Sequence, residues 1–516
     1  MSAEASSPPA SSKGLSSPWI FGLALFAVSF AVRYALARRF AAEPVWDGHY
    51  YEYYAKRIAL GFGYSDGPFE AGVAGHPACH YPVGFSALLG VFYKLFGAKL
   101  AVARLFNATI SAFVPVLTWR LARFGLSPLR AKFAGILTAL HPGLCLYAAL
   151  VMSEPLSSAL TLGAFVATYE LRDARSRWAL PVGALLLGVA ALVRPQGLLC
   201  APVLFDAPLL LRTFREARDK AGATKVASLF AGIGATLKPF FAQAIVVAVC
   251  CVLPVLPWTI RNCRTMDGCA VVSTNGGWNL AIGSFPRATG RFESLHASDA
   301  QAFATDEACK VATGQVQQDR CWGKYGVQQI VQHPIHWLKL VPAKLSYTFD
   351  HESFQIEYLH EARPWDFPDD VRNRAREAIT LFHRLLMVAA AFACVGFVRG
   401  RPGLRHSTQG LLFAAIGATA VWGFSQGSVV VWPLAALLSV VPWLPLPGAP
   451  PRPAAIGASV VFLGSVCLTH ILFFGEDRYH VVASPVLCLL AAAAFRKANL
   501  LGDVVAKDVS GLASGR

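Results

Sequence analysis

Long apolar segments are the feature of this chain that most limits its fold. Residues 18–37, PWIFGLALFAVSFAVRYALA, approach the ~20 apolar residues that a helix needs to span a bilayer. Charged residues make up only 15% of the chain, against about 25% in soluble domains. Comparable apolar segments lie at 101–119, 133–150, 155–171, 179–193, 197–211, 240–258, 379–398, 409–425, 428–446, 455–474 and 480–495. The sequence therefore predicts an all-α polytopic membrane protein with about 11–13 transmembrane helices.

The distribution of basic residues agrees with this topology. The net charge of +16 could by itself indicate nucleic-acid binding. When the N-terminus is placed inside and the spans alternate, the basic loops all fall on one side, as the positive-inside rule requires. These loops contain Arg120, Arg123, Arg130, Lys132, Arg172, Arg175, Arg177, Arg212, Arg215, Arg218, Lys220, Lys225, Lys238, Arg399, Arg401, Arg405, Arg452, Arg496 and Lys497. The charge thus reflects topology, and we expect no nucleic-acid partner.

The alternation holds only if residues 82–96 do not cross the membrane, so they are predicted to form a surface or re-entrant helix. We expect the apolar stretch at 18–37 to be an uncleaved anchor, because it is long for a signal peptide and no basic cluster precedes it. The predicted regions are a disordered cytoplasmic tail at 1–17, a membrane module at 18–258 that includes the outer loop 38–100, an extracytoplasmic region at 259–378, C-terminal transmembrane helices at 379–495 and a cytoplasmic tail at 496–516.

Asp47 is the first candidate for chemistry, in the stretch WDGHYYEYYAKRIALG of the first outer loop. The tyrosines at 50, 51, 53 and 54 suit a short helix in the headgroup layer, where amphipathic aromatic residues settle. Asp47 has two roles open to it: the N-cap of that helix, or a carboxylate that faces a cavity. Glu52 is expected at the surface, either solvated or paired with Lys56 at the (i, i+4) spacing.

Further polar residues fall on the same outer face. Glu154, in MSEPL, lies at the end of a span, where it either complements the dipole of the next helix or serves a site. Arg194, in LVRPQGL, is suited to phosphate because its guanidinium donates two parallel hydrogen bonds, although it could also snorkel to the interface. Arg478, in GEDRYHV, is a second phosphate candidate, and Tyr479 beside it could hydrogen-bond a headgroup.

Several histidines share this outer face. They are His49, His76, His80, His141 and His480. With Asp47 and Glu154 they could bind a divalent metal, and the candidate ligands are Asp47, Glu154 and His49. No pair of histidines has a close ligand spacing. The chain has no nucleophile elbow, P-loop or Rossmann fingerprint, so no nucleotide cofactor is implied.

Five of the 12 cysteines are predicted to lie outside the membrane: Cys79, Cys263, Cys269, Cys309 and Cys321. In an oxidising compartment the last four could pair as Cys263–Cys269 and Cys309–Cys321, which would leave Cys79 as a thiol. Spacing alone leaves other connectivities open.

The ordered set of motifs resembles a known superfamily. It comprises WDGHYYEYYAKRIALGFGY, HYPVGFSALLGVFYKLFG, ARLFN, SEP, VRPQG, PWTIRN, NGGWNLAIGSFPRATGRF and DRYH, over about residues 18–495. The set looks like bacterial relatives of the dolichyl-phosphate-mannose protein mannosyltransferases, in the GT-C glycosyltransferases that also include the lipid A aminoarabinose transferase.

The resemblance implies a GT-C fold and transfer of a sugar from a polyprenyl-phosphate donor. By position, Asp47 matches the essential acid of the first outer loop, the expected general base, and Glu154 matches the acid of the second. Gly48 stands where the protein mannosyltransferases often have a second acid, which weakens a specific protein-mannosylation reading. His80 stands where the aminoarabinose transferases have a basic residue, which suggests a phosphate role.

The expected partners are therefore a polyprenyl-phosphate sugar donor, an envelope acceptor and the bilayer, at a bacterial inner membrane with the site facing outside. Asn275, Trp278 and Asn279 in NGGWN are candidates for sugar or acceptor contact, although Asn-Gly is also a plain turn signal. Two alternatives remain: a transporter or flippase of lipid-linked saccharides, and a non-catalytic envelope assembly protein. Neither the sugar nor the acceptor follows from the sequence.

Overall fold

In the computed structural model, residues 18–70, 72–73, 75–221, 225–293, 309, 314–393, 410–419, 430–441 and 453–494 are described. Over these residues the fold is all-α, as predicted. Its α-helices are Pro18–Arg39, Trp46–Ala59, Val83–Phe96, Leu100–Ala122, Pro128–Ala139, Pro142–Leu146, Glu154–Asp173, Ala179–Val193, Ala207–Lys220, Lys225–Thr265, Gly276–Ile282, Gln315–Gln332, Pro334–Phe349, Phe354–Ala362, Asp369–Ala391, Gly410–Thr419, Trp432–Val440, Ala454–Leu472 and Ser484–Ala494. Three 3-10 helices, Tyr147–Ala149, Pro195–Leu204 and Asp477–Ala483, connect some of them.

Four of the described helices are long and apolar enough to cross a membrane: Pro18–Arg39, Leu100–Ala122, Val226–Thr265 and Ala454–Leu472. The number rises to six if two bent pairs are each one span, namely Pro142–Ala149 with Glu154–Asp173 and Pro195–Leu204 with Ala207–Lys220. The chain is thus a multi-pass membrane protein. Of the other predicted spans, 179–193 is a helix with the predicted bounds, and 480–495 divides into the 3-10 helix Asp477–Ala483 and the helix Ser484–Ala494. The segments 379–398, 409–425 and 428–446 extend beyond the described residues.

Proline lies at two of these breaks, although the helices Leu100–Ala122 and Lys225–Thr265 continue through Pro115 and through Pro239, Pro254 and Pro257. The predicted span 133–150 divides at Pro142, which begins a new helix after Ala139. The predicted span 197–211 is a 3-10 helix up to Leu204, with Pro202 inside it. Proline has no backbone N–H and its ring clashes with the preceding turn, so an α-helix cannot continue through these positions undisturbed.

The first outer loop forms a compact unit. Trp46–Ala59, here called the Asp47 helix, packs against Val83–Phe96. The latter has 14 residues and is about 21 Å long, too short to cross a hydrocarbon core of about 30 Å, in agreement with its prediction as a non-crossing helix. Between the two helices, a two-residue antiparallel ladder joins Ser65–Asp66 to His76–Pro77. Glu52 pairs with Lys56 at 2.8 Å as expected, but Glu52 is buried instead of lying at the surface.

Both predicted disulfides are present. Cys263–Cys269 closes the turn after the long helix Lys225–Thr265, and Cys309–Cys321 anchors the chain to the helix Gln315–Gln332. Cys79 is a buried thiol, as predicted.

An apolar cluster joins the backbone segments that carry the candidate polar residues. It brings together Tyr51 from the Asp47 helix, Tyr147 from the 3-10 helix Tyr147–Ala149, Leu156 from the helix Glu154–Asp173, Phe354 and Val481. These residues come from sequence-distant segments and are almost fully buried. Because interiors are close-packed, this cluster fixes the relative positions of the backbone segments that carry the site.

Candidate active site

Asp47 lies in the first turn of its helix, but its side chain does not cap that helix. Val45 is the N-cap residue, so the capping role is wrong. Instead, Asp47 Oδ1 accepts a hydrogen bond from the Tyr81 hydroxyl at 3.0 Å, and Oδ2 accepts one from Arg478 Nη1 at 2.5 Å. About a quarter of the side chain (24%) is exposed. The carboxylate is therefore anchored on both oxygens while one side remains open.

Arg478 is the centre of the arrangement. It lies in the 3-10 helix Asp477–Ala483, 431 residues from Asp47. Besides Asp47, its guanidinium pairs with Glu476 at 2.5 Å and donates to the Tyr479 hydroxyl at 3.1 Å. It also lies over the ring of Phe354, with its Cζ 5.2 Å from the centroid. Charge pairs and cation–π contacts together hold the Arg478 guanidinium in one orientation.

Glu154 and Arg194 form a second pair. Glu154 begins the helix Glu154–Asp173 and is fully buried, with Pro155 following it as predicted for a first turn. Arg194 follows directly on the helix Ala179–Val193, and Nη2 donates to Glu154 Oε1. Arg194 Nε also donates to Ser153 Oγ at 3.1 Å. The arginine does not simply snorkel, because it is held by a buried carboxylate.

The two pairs belong to one site. The guanidinium carbons of Arg194 and Arg478 lie 5.8 and 4.9 Å from the centroid of the same Tyr479 ring. The Ser153 hydroxyl, which accepts from Arg194, is 3.5 Å from the hydroxyl of Tyr51, one helical turn beyond Asp47. Folding thus assembles the predicted outer-face residues around Tyr479.

Electrostatics keeps Asp47 ionised. Burial by itself would raise its pKa, but the charge of Arg478, the hydrogen bonds from Arg478 and Tyr81, and the charge of Arg194 together hold the pKa below its usual range. Burial first, and then the charge of Asp47, raise the pKa of Tyr81, so its hydroxyl keeps its proton and donates. The pKa of Glu476 is raised, chiefly by burial.

The remaining phosphate candidate, His80, lies at the side of this centre. Its ring is 4.9 Å from the ring of Tyr81 and 6.4 Å from that of Trp278. Burial lowers the pKa of His80, so at neutral pH it is an uncharged imidazole and not a cation. His80 therefore adds no charge, and its ring already hydrogen-bonds the backbone of Thr274, a contact that a phosphate would have to displace to accept from the same N–H.

NGGWN forms the start of a short helix, Gly276–Ile282, and not a plain turn. Asn275 is its N-cap residue and accepts a hydrogen bond from the Ser273 hydroxyl. Trp278 contacts His80, and Asn279 lies one residue further along. This helix therefore reaches the Asp47 centre through His80.

The candidate metal ligands do not form a three-ligand set in the described part of the chain. Asp47 and Glu154 each face an arginine, and exposed His49 contacts the rings of Tyr50 and Tyr53. The described histidines, cysteines and carboxylates contain one group with ligand atoms close enough for an ion, and it consists of other residues.

Sequence reasoning missed Tyr81 and Glu476, which contact Asp47 and Arg478. Tyr81 adjoins His80 in HYPVG and Glu476 lies two residues before Arg478 in GEDRYH, and that proximity is the signal that could have identified them. The structure also explains Gly48. A Cβ there would lie 2.4 Å from the hydroxyl of Tyr358, so a second acid at this position has no space.

No protein-family model matches the chain, and no curated protein matches it. Among solved structures, the Archaeoglobus fulgidus oligosaccharyltransferase in complex with Zn and sulfate matches with a TM-score of 0.41 and 13% identity, over 94% of this chain and 50% of that one. The oligosaccharyltransferase AglB from Archaeoglobus fulgidus, with an inhibitory peptide and dolichol-phosphate, matches with a TM-score of 0.38 and 12% identity, over 97% and 52%.

ArnT from Cupriavidus metallidurans, bound to undecaprenyl phosphate, matches with a TM-score of 0.32 and 14% identity, over 90% of this chain and 77% of that one. The chain spans about half the length of the oligosaccharyltransferases that it matches. The matched proteins are GT-C glycosyltransferases, the class that the sequence motifs resemble.

Proposed function

We propose that this chain is an integral membrane glycosyltransferase. It would move a sugar from a polyprenyl-phosphate donor to an envelope acceptor (a lipid, a glycan or a protein) on the outer face of a bacterial inner membrane. One observation carries the proposal: two carboxylate–arginine pairs, Asp47 with Arg478 and Glu154 with Arg194, meet around Tyr479. A base and two phosphate-binding cations are what this transfer requires.

In the proposed reaction, an acceptor hydroxyl or amine attacks the anomeric carbon of the donor sugar. The bond between that carbon and the phosphate oxygen breaks, and the acceptor proton passes to Asp47. The leaving polyprenyl phosphate already carries charge, so it needs cations more than a proton, and Arg478 and Arg194 supply them. Tyr479 and His80 would add hydrogen bonds to the phosphate, and the isoprenoid tail would stay in the bilayer.

Because Arg478 lowers its pKa, Asp47 becomes an effective base only when the donor is bound. In the free protein the charge of Arg478 holds the pKa of Asp47 low, and a weakly basic carboxylate is a poor proton acceptor. A donor phosphate that shares Arg478 offsets part of that charge, so the basicity of Asp47 rises as the substrate arrives. Glu154 would keep Arg194 in place and would be the second acid of the site.

The acceptor would approach past the helix Gly276–Ile282. Trp278 presents an aromatic surface suited to a sugar ring, and Asn275 and Asn279 flank it with amide groups. These three residues are proposed as the acceptor or sugar contacts.

The test is mass spectrometry of envelope glycans and lipids from a deletion strain complemented with variants. We expect one sugar to be missing in the deletion strain and in the strain with Asp47→Asn, and to return with the wild type. Asp66→Asn is the matched control, because Asp66 also accepts from a tyrosine hydroxyl in the same outer loop but pairs with no arginine in the described structure. It should restore the sugar.

An unchanged profile in the deletion strain would contradict the proposal and favour a transporter or an assembly protein. If Asp47→Asn restored full transfer, the assignment of the base would be wrong.

A further inference from the structure

A second cluster of ionisable side chains lies beneath the site and takes no part in the reaction above. Glu352, His383 and His480 come from three segments and are all at most 1% exposed. Glu352 Oε2 lies 3.4 Å from His480 Nε2 and 3.7 Å from His383 Nδ1. The two imidazole rings are 4.0 Å apart. Three potential ligand atoms thus converge in a space from which water is excluded.

Backbone contacts define which ring nitrogens point inward without a proton. His383 Nε2 is 2.8 Å from the carbonyl oxygen of Phe349, and His480 Nδ1 is 2.7 Å from that of Thr348. A carbonyl oxygen only accepts, so these outer nitrogens carry the protons. If each ring carries only this outer proton, the inner nitrogens present lone pairs toward Glu352; His480 Nε2 lies within hydrogen-bond distance of Glu352 Oε2, and His383 Nδ1 has no hydrogen-bond partner.

This is the outer-shell pattern of metal-ligating histidine, whose second nitrogen usually donates to a carbonyl or a carboxylate. His141 completes the surroundings in a different way. Its Nδ1 accepts from the Leu144 N–H, so its Nε2 carries the proton, and this nitrogen lies 3.9 Å from Glu352 Oε2 without a hydrogen-bond partner. The protonated nitrogen of His141 thus faces the carboxylate, and His141 is not a ligand.

The Glu352 carboxylate is fixed in this position by its neighbours. Gln355 Nε2 donates to its Oε1 at 2.7 Å, which leaves Oε2 for the histidines. Gly143 permits the approach, because a Cβ at that position would lie 1.5 Å from Oε1. Among the described residues no lysine or arginine pairs with Glu352. A buried carboxylate is costly unless a positive charge, a metal ion or hydrogen bonds compensate it.

We infer that Glu352, His383 and His480 bind a divalent transition-metal ion of the zinc class. Ligands about 2.0–2.1 Å from a tetrahedral ion are about 3.3 Å from one another. The two distances from Glu352 are 3.4 and 3.7 Å, and all three ligand atoms lie within 4.8 Å of one another. Two imidazoles and one carboxylate suit zinc better than magnesium or calcium, which prefer oxygen. His480 is two residues from Arg478, so the ion would be a positioning centre that fastens the arginine-bearing segment to the rest of the fold.

The experiment measures zinc by elemental analysis of full-length protein purified without chelator, and then by titration of zinc into protein dialysed against a chelator. We expect about one zinc per chain, a fall in Tm when the chelator removes it and recovery of Tm on re-addition. Glu352→Gln and His383→Gln should lose the stoichiometric zinc and the response to chelator.

His470→Gln is the matched control. His470 is also a buried histidine with one nitrogen near a carbonyl oxygen, and it stacks on Tyr479, but it lies outside the three-ligand group. It should keep its zinc, and so should Asp47→Asn, which separates this centre from the proposed active site. The inference is overturned if dialysed wild-type protein takes up no zinc, a measurement that does not depend on any variant folding, or if both ligand variants keep zinc at the wild-type ratio.

Discussion

Asp47→Asn should tighten the binding of polyprenyl phosphate while it removes turnover. In the free protein Asp47 Oδ2 accepts a hydrogen bond from Arg478 Nη1. A phosphate must therefore displace this carboxylate before it can accept hydrogen bonds from the whole guanidinium. The amide has the same size and no charge, so the variant removes the competitor and leaves Arg478 pointing in the same direction.

The magnitude follows from that hydrogen bond. A hydrogen bond to a charged group contributes about 1.5–3 kcal/mol. Because 24% of the Asp47 side chain is exposed, water screens part of this, and we take about 1–2 kcal/mol. The expected gain in phosphate affinity is then about 5- to 30-fold.

The assay is binding of polyprenyl phosphate to purified protein in lipid nanodiscs at constant pH, with Asp66→Asn as the control that should bind like the wild type. The sign of the change is the informative result. If Asp47 instead held a metal ion that bound the phosphate, Asp47→Asn would weaken binding. Weaker or unchanged binding would therefore refute competition between Asp47 and the phosphate for Arg478.

Three further predictions concern the same site. Glu154→Gln leaves the charge of Arg194 without its buried partner and should lower the free energy of unfolding by about 3 kcal/mol. In denaturation measurements, the Glu154→Gln/Arg194→Gln double variant should lose less stability than the sum of the two single variants. Full additivity would show that the pair is uncoupled. The pKa of Asp47 is depressed in the folded protein, so its contribution to stability is complete above its ordinary pKa of 3.8 and is lost as the pH falls through the lower folded value. Tyr81→Phe removes one cause of this depression and should move the acid limb of the pH–rate profile to higher pH; a limb that stays in place would argue against Asp47 as the base. Gly48→Ala places a Cβ 2.4 Å from a tyrosine hydroxyl and should destabilise the protein by about 1–3 kcal/mol, seen as a lower Tm, whereas an unchanged Tm would mean that the hydroxyl moves away freely.

Much of the site could be predicted because its residues lie at helix ends that the local sequence marks. Glu154 and Arg194 are placed at helix ends by the neighbouring Pro155 and Pro195, and the apolar segments determine which ends those are. The role of Asp47 as an N-cap could not be excluded in this way, because Asp is a favoured N-cap residue whereas Val45, which occupies that position, is a disfavoured one.

The metal cluster could not be predicted in this way. Glu352 lies in HES, His383 in LFHRLL and His480 in DRYHV, and none of these stretches has a ligand spacing. Their ligand atoms converge only through the docking of three segments more than 25 residues apart, as does the contact between Asp47 and Arg478.

The sequence by itself determined the class of the protein, since apolar length and charge placement act through the bilayer and need no partner in the chain. It also offered the pairs Cys263–Cys269 and Cys309–Cys321 among other connectivities, and the structure has these two. Only the tertiary structure decided that Arg478 faces Asp47, that Arg194 faces Glu154, and that three buried side chains meet around Glu352. The physical reason is that hydropathy and turn signals act over a few residues, whereas charge pairing depends on how whole helices pack. A buried charge is tolerated only where a distant segment supplies its partner.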